Sequence, residues 1–439
     1  MVVGGGLAGC EAALVAARAG LSVTLVEMKP GAYTPAHKSP RLAELVCSNS
    51  LRSDDPASGP GLLKAEMRRA GSAVLAAADA CRVPAGGALA VDRERFSEAV
   101  EAAVAAHPRI AVVRREALAI PDHPRVILAT GPLTTDALAD DLRARTGEAS
   151  LHFVDATAPI VAAESIDRAV VFEASRYGKG DAAYLNCPMD RAQYEAFVQA
   201  LLGAEKVRPH AFEEPRFFEG CMPIEEMARR GPQTLAHGPM KPVGLVDPRT
   251  GRRPFAVVQL RPETRFADLY NLVGFQTQMT WPEQRRVFRM IPGLERAEFH
   301  RLGTLHRNTF ARAPRVLDER LRLRADPRVR LAGQLSGIEG YIESAATGWL
   351  AGRFAAAEFL GRELAPPPPE CAHGGLLAHL TRSDPEHFAP MNITFGLLPP
   401  IEPPVHKKKR KEALRDRGLA AFGAWIAAVH AAIPELRDV

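Results

Sequence analysis

Met1-Val2-Val3-Gly4-Gly5-Gly6-Leu7-Ala8-Gly9 opens the chain, and Glu27 closes the next apolar run. The G-x-G-x-x-G pattern follows apolar residues and leads into an Ala-rich helical segment, Cys10 to Ala19, that stops at Gly20; Leu21 to Val26 then reads as a second strand with Glu27 at its tip. Each glycine answers a steric need. Gly4 permits the tight strand-to-helix turn, Gly6 lets the backbone approach a pyrophosphate, and Gly9 lets the helix close on the strand. Gly5, Leu7 and Ala8 fill the loop and first turn, where free N–H groups and the helix dipole favour phosphate, and Glu27 is placed to accept ribose hydroxyls. Strand, glycines, helix, strand and acid in this order predict a dinucleotide site.

The rest of the chain sets the frame. It has 439 residues, 46% hydrophobic and 24% charged, with 56 Lys and Arg against 51 Asp and Glu, for a formal charge of +5. That length suits two or three domains with a substantial core. No apolar run is long enough to span a membrane and no charged-then-apolar leader is present, so a cytoplasmic protein is expected. The six cysteines, Cys10, Cys47, Cys81, Cys187, Cys221 and Cys371, show no C-x-x-C spacing and no clustered His, which suggests neither a zinc site nor a disulfide framework.

Two later segments look like further pieces of the nucleotide domain. Val126-Ile127-Leu128-Ala129-Thr130-Gly131 is a buried-strand pattern ending in a glycine turn. Val329-Arg330-Leu331-Ala332-Gly333-Gln334 is a second such strand, and Leu335 to Gly348, through Gly340, leads into another Ala-rich helix whose N-terminus offers N–H groups. Between them, residues 156–299 turn aromatic, Pro-rich and charged, with strands expected at Val257 to Leu260 and Leu269 to Val273. The expected organisation is a discontinuous domain of residues 1–155 plus 300–439 with a smaller α/β domain inserted at 156–299.

Cys47 lies in the hydroxyl-rich Cys47-Ser48-Asn49-Ser50-Leu51-Arg52-Ser53, and Cys221 in Glu219-Gly220-Cys221-Met222-Pro223; both settings suit a reactive thiol. Cys10 and Cys81, amid alanines, read as small core residues.

The three nucleotide-domain pieces resemble the flavoproteins with two dinucleotide-binding domains, whose fold is α/β: a Rossmann-like, glutathione-reductase-like FAD-binding domain. That resemblance implies FAD, with Gly131, Gly333, Gln334 and Gly340 joining the opening glycines around it. Longer motifs narrow the family. Residues 2–13 (V-V-G-G-G-L-A-G-C-E-A-A), 45–54 (L-V-C-S-N-S-L-R-S-D), 218–231 (F-E-G-C-M-P-I-E-E-M-A-R-R-G), 271–277 (N-L-V-G-F-Q-T) and 333–344 (G-Q-L-S-G-I-E-G-Y-I-E-S) together resemble the folate- and FAD-dependent tRNA (uracil-5-)-methyltransferases, the TrmFO family, from residue 2 to about residue 410.

The resemblance implies methylenetetrahydrofolate as carbon donor, reduced FAD as electron source, NADH or NADPH to recharge it, and a T-loop uridine of tRNA as acceptor. Uracil C5 is a poor nucleophile until a thiolate adds at C6, so an activated cysteine is required. By motif, Cys221 is the candidate nucleophile and Cys47 the second catalytic cysteine near the flavin; the reverse assignment is open, as is whether the other cysteine serves as base or as guard for the flavin adduct. His306 and Asn308 in Gly303-Thr304-Leu305-His306-Arg307-Asn308 are candidate pterin contacts. Basic candidates for tRNA phosphates are Arg229 and Arg230, Arg285 and Arg286, and Lys407, Lys408 and Lys409; no RRM or KH signature is present.

Three rival readings remain at the level of sequence. One is the related MnmG (GidA) type of flavoprotein that modifies a wobble uridine with a partner GTPase; it is expected to carry a long C-terminal helical domain, whereas this sequence ends at Val439 after one or two helices. Another is an FAD-dependent oxidoreductase of small molecules, and a third a tRNA-binding flavoprotein without cysteine chemistry.

Overall fold

A computed structural model of the chain describes residues 1–148, 151–178, 184–207 and 222–437, and the backbone alone of 151–155 and 305–307. Cys221 lies outside the described residues, as does the side chain of His306.

The opening strand is two residues long, Val2–Val3, and occupies the middle of a five-stranded parallel sheet. Val2 sits opposite Leu25 of strand Val23–Glu27 on one side and Ile127 of strand Val126–Leu128 on the other. Strand Val329–Leu331 pairs with Val126–Leu128 and strand Ile110–Arg114 with Val23–Glu27, completing the two edges. The three pieces marked by glycine in the sequence are thus neighbours in one sheet, an α/β architecture of the Rossmann type.

The first helix runs Leu7–Arg18, starting three residues earlier than the sequence predicts, directly after the glycines. Eleven of its twelve residues are buried, because the long helix Tyr341–Phe359 lies along it. Small residues set that approach. A Cβ added at Gly348 would lie 2.1 Å from the Ala8 carbonyl oxygen, and one at Gly352 would lie 2.8 Å from that of Ala12. A helix with so few polar residues has to be enclosed in this way. Beyond Tyr341–Phe359, Trp349 meets Trp425 and Phe422 of the C-terminal helix Arg410–Ala432.

A second apolar core extends from Val161 to Ala297 around a six-stranded sheet in antiparallel pairing. The strands expected at Val257 and Leu269 are adjacent members, Ala256–Pro262 and Leu269–Leu272, with Leu260 opposite Leu272. Helices Arg191–Gly203, Ile224–Arg229 and Trp281–Phe288 contribute to this core, where Phe275 packs on both Phe197 and Phe288. The chain leaves the first body and returns through an antiparallel two-stranded ribbon, Leu151–Ala156 against Leu305–Phe310. Among the described residues, no helix is long and apolar enough to cross a membrane.

Candidate functional site

At the C-terminal ends of the parallel strands lies a cleft. Gly4, Gly5, Gly6, Leu7 and Ala8 line it together with Glu27, Gly131, Gly333 and Gln334. Gly4 has φ +99°, and a Cβ there would lie 2.5 Å from the Ala129 carbonyl oxygen. Gly6 differs: a Cβ would meet nothing within 4 Å, so the space it leaves belongs to the cleft. Gly9 does not line the cleft. Its missing side chain lets the helix touch the loop, since a Cβ would fall 1.8 Å from the Gly4 carbonyl oxygen. Helix Leu7–Arg18 has no side-chain cap, so its first N–H groups stay open to an anion. Glu27 is buried, and its two carboxylate oxygens accept the backbone N–H of Gly5 at 2.7 Å and of Lys29 at 3.0 Å, which fixes the glycine loop to the second strand.

A second cleft adjoins the first and shares Val46, Pro132, Leu133, Gln334 and Tyr341 with it. Cys47 lines it, as do Asn308 and Gly340. The Cys47 loop comes from the first body but is held largely by the second. Arg261 donates to Asn49 Oδ1 at 2.9 Å and Ser48 Oγ at 2.7 Å, and Arg301 to the Val46 carbonyl at 2.7 Å. Arg93, from the first body, donates to the carbonyls of Leu45 and Cys47 and is ion-paired to Glu263 of the second. Beneath the loop, the Tyr341 hydroxyl accepts the N–H groups of Cys47 at 2.8 Å and Ser48 at 3.2 Å. Burial, with the neighbouring Cys47 adding to it, pushes the Tyr341 phenol well above its usual range, so it stays a neutral hydroxyl.

Three residues that line this cleft each hold one buried side-chain polar atom without a hydrogen-bond partner among the described residues: Asn271 Nδ2, Asn308 Nδ2 and Glu343 Oε2. Their side chains are 4%, 2% and 0% exposed respectively. Buried polar groups are ordinarily satisfied. Two amide donors and one carboxyl oxygen are thus left without a partner around one cleft.

The basic candidates lie on the surface. Arg229 and Arg230 end helix Ile224–Arg229, with Arg229 near Glu226 at 3.6 Å; Arg285 and Arg286 sit on helix Trp281–Phe288, with Arg286 paired to Glu283 at 2.5 Å. Lys407–Lys409 form an exposed turn before the C-terminal helix, on the first body.

Sequence reading missed Arg93, Arg261, Arg301, Asn271, Tyr341 and Glu343 as individual residues. A signal existed for two of them: Arg261 and Asn271 fall in mostly apolar strands, where a polar side chain has to have a partner or a purpose. Of the other cysteines, Cys10 and Cys81 are buried as expected, and burial pushes the Cys10 thiol far up.

The chain matches the family described as Glucose inhibited division protein A over residues 1–363. It is 58% identical over 429 residues to a methylenetetrahydrofolate–tRNA-(uracil-5-)-methyltransferase TrmFO of Geobacter sulfurreducens, covering 98% of this chain and 99% of that one. To a protein of the same description from Moorella thermoacetica it is 57% identical over 427 residues, 97% of each chain. Among solved structures, Aquifex aeolicus GidA superposes with a TM-score of 0.67 at 16% identity, over 96% of this chain and 75% of that one, a likeness of fold.

Proposed function

This chain belongs to the TrmFO family of methylenetetrahydrofolate–tRNA-(uracil-5-)-methyltransferases, within the wider Glucose inhibited division protein A family, and from that membership we propose how its two clefts divide the reaction. The first holds FAD and the second receives a T-loop uridine and the folate. The observation that carries this reading is the continuity of the clefts through Gln334 and Tyr341, with Cys47 beside the junction.

In the first cleft, the open N–H groups after Gly6 would take the pyrophosphate, Glu27 the ribose, and Gly131, Gly333 and Gln334 the remainder of the cofactor. The cradle fits such a group because a side chain at Gly6 would project into it. When bound and reduced, FAD supplies the electrons that convert a folate-borne methylene to a methyl, and NADH or NADPH replenishes them.

In the second cleft, Asn308 and Asn271 present free amide donors to ring carbonyls, with His306 as a further pterin contact by its motif. A cysteine thiolate adds to uracil C6: the S–C6 bond forms and the C5–C6 π pair moves toward C4 as an enolate, which makes C5 nucleophilic. Cys221 takes this part by its motif. Cys47, held by Arg93, Arg261, Arg301 and Tyr341, is the second catalytic cysteine. The target base has to leave the T-loop stack to reach either thiol, and exposed Arg and Lys hold the flanking phosphates.

Incubation of the protein with unmodified tRNA, methylenetetrahydrofolate and NAD(P)H should yield 5-methyluridine on digestion of the RNA. No 5-methyluridine from protein whose absorbance confirms bound FAD overturns the reading in favour of a flavoprotein acting on other substrates. Covalent trapping by 5-fluorouridine tRNA should disappear in Cys221→Ala; trapping that instead disappears only in Cys47→Ala exchanges the two roles.

A further inference from the structure

Strand Ser50–Ser53 continues the Cys47 motif and pairs antiparallel with strand Ala88–Val91, but its register breaks between Ser50, opposite Ala90, and Ser53, opposite Ala88. Leu51 and Arg52 thus face a single residue, a β-bulge of the kind that re-aims a side chain. Arg52 takes φ +66°, in the left-handed region that residues other than glycine rarely enter. The bulge sets its two residues apart. Leu51 is buried, and its carbonyl accepts from the buried Lys64 Nζ at 2.8 Å, whereas the Arg52 side chain lines the second cleft with 45% of its surface exposed.

Arg52 is the cation of this lining that a ligand can reach. Of the other charged residues around the cleft, Arg261 is buried and bonded to Asn49 and Ser48, and Glu339 and Glu343 are buried. The Arg52 guanidinium donates no hydrogen bond among the described residues; one of its nitrogens lies 3.7 Å from Glu343 Oε1, too far for one. The other Glu343 oxygen has its place because of the neighbouring glycine. A Cβ at Gly340, which has φ +107°, would come within 2.2 Å of Oε2. Gly340, expected from its motif to contact the cofactor, accordingly serves the second cleft.

We propose that Arg52 binds a glutamate carboxylate of the folate and thereby selects folates over uncharged pterins, an assignment that rests on the methylation reading above. A guanidinium fork matches a carboxylate with two parallel N–H···O bonds. Two arginines and two glutamates leave the described lining without net charge. That balance suits one small anion rather than the run of phosphates that draws RNA to a basic surface. A folate has the required form, a flat ring system joined by an aminobenzoyl spacer to a glutamate. The half-exposed position of Arg52 is where such a tail passes toward solvent.

The test uses the full chain with its flavin and reads binding directly, by calorimetric titration with tetrahydrofolate and with its diamide, in which both glutamate carboxylates are primary amides. The unaltered protein should bind the diamide about 10-fold or more weakly than tetrahydrofolate. Arg52→Gln should weaken tetrahydrofolate by the same factor and the diamide no further, and Arg52→Lys should recover part of the loss, keeping the charge without the fork. Equal tetrahydrofolate binding by Arg52→Gln and the unaltered protein overturns the assignment. So does equal weakening of both ligands in that variant, which would make the residue a support for the loop. Weakened tRNA binding with unchanged tetrahydrofolate binding overturns it as well, in favour of a phosphate contact. Absence of 5-methyluridine from the unaltered protein, with the discrimination between tetrahydrofolate and its diamide intact, counts against the methylation reading alone.

Discussion

The first cleft is walled by backbone: glycines whose missing side chains leave room for a ligand, and helix N–H groups left uncapped. The second is walled by side chains from distant segments, with Arg261 and Arg301 reaching across from one body to grip the Cys47 loop of the other. The difference teaches what each can tolerate. A backbone cradle fails through steric overlap when a methyl is added. A side-chain clamp fails by releasing one loop while the fold survives.

The sharpest way to break this contrast lies in two neighbouring glycines. Gly9→Ala forces a Cβ onto the Gly4 carbonyl and should cost more than ~3 kcal/mol, seen as loss of soluble folded protein. Gly6→Ala meets nothing within 4 Å and should melt within a few degrees of wild type while losing its flavin on gel filtration. Equal damage from both would mean that the Gly6 space is not a ligand space.

Next in size is Cys47→Ala, which should keep the fold and the flavin spectrum while 5-methyluridine formation falls by about 10³-fold. Arg301→Leu should act more mildly on the same loop. Removing its bond to the Val46 carbonyl lets Cys47 shift, and kcat should fall by about 10-fold to 10²-fold with little change in melting temperature. A variant with unaltered kcat would show that the clamp does not position the thiol.

The frame of the first cleft carries a pH signature. Glu11, on the opening helix, accepts from Ser72 Oγ at 2.9 Å and from the N–H groups of Val74 and Ala73 at 2.8 and 3.2 Å. Burial outweighs these bonds and raises its carboxyl from 4.5 to about 7. A carboxyl raised on folding binds protons more tightly in the native state, so its stabilisation is full below about pH 4.5 and fades as the pH rises to 7. Urea unfolding should show wild type losing roughly 2 kcal/mol over that window relative to Glu11→Gln. Parallel curves would dismiss the shift.

The smallest effect belongs to residues that line neither cleft. Replacing Lys407, Lys408 and Lys409 by Gln should weaken tRNA binding about threefold at low salt and lower the salt slope by about 0.7 to 0.9 for each phosphate no longer neutralised. An unchanged slope would remove this turn from the RNA surface.

Much of the first cleft was legible in the sequence. Gly4, Gly6 and Gly9 act within a few residues of one another, Glu27 ends the next strand, and the A-T-G turn at Gly131 and the Gly333-Gln334 turn announce strand ends by composition alone. Helix Leu7–Arg18 began earlier than expected because its first turn is built on the fingerprint glycines themselves. The second cleft was legible only as motifs. The stretches containing Cys47, Asn271, Tyr341 and Glu343 were all conspicuous, yet nothing local reveals that the Tyr341 hydroxyl, 294 positions from Cys47, holds that residue's N–H.

The amino-acid sequence by itself determined the parallel α/β frame, the nucleotide cradle and the family, because those depend on short-range steric rules and on long motifs readable in one dimension. Tertiary structure alone decided which side chains meet at Cys47, that Gly340 makes room for Glu343, and that two asparagine amides stand unpaired in the same cleft. The contacts at Cys47 join residues as much as 294 positions apart, and their geometry exists only once the chain has packed into its cores.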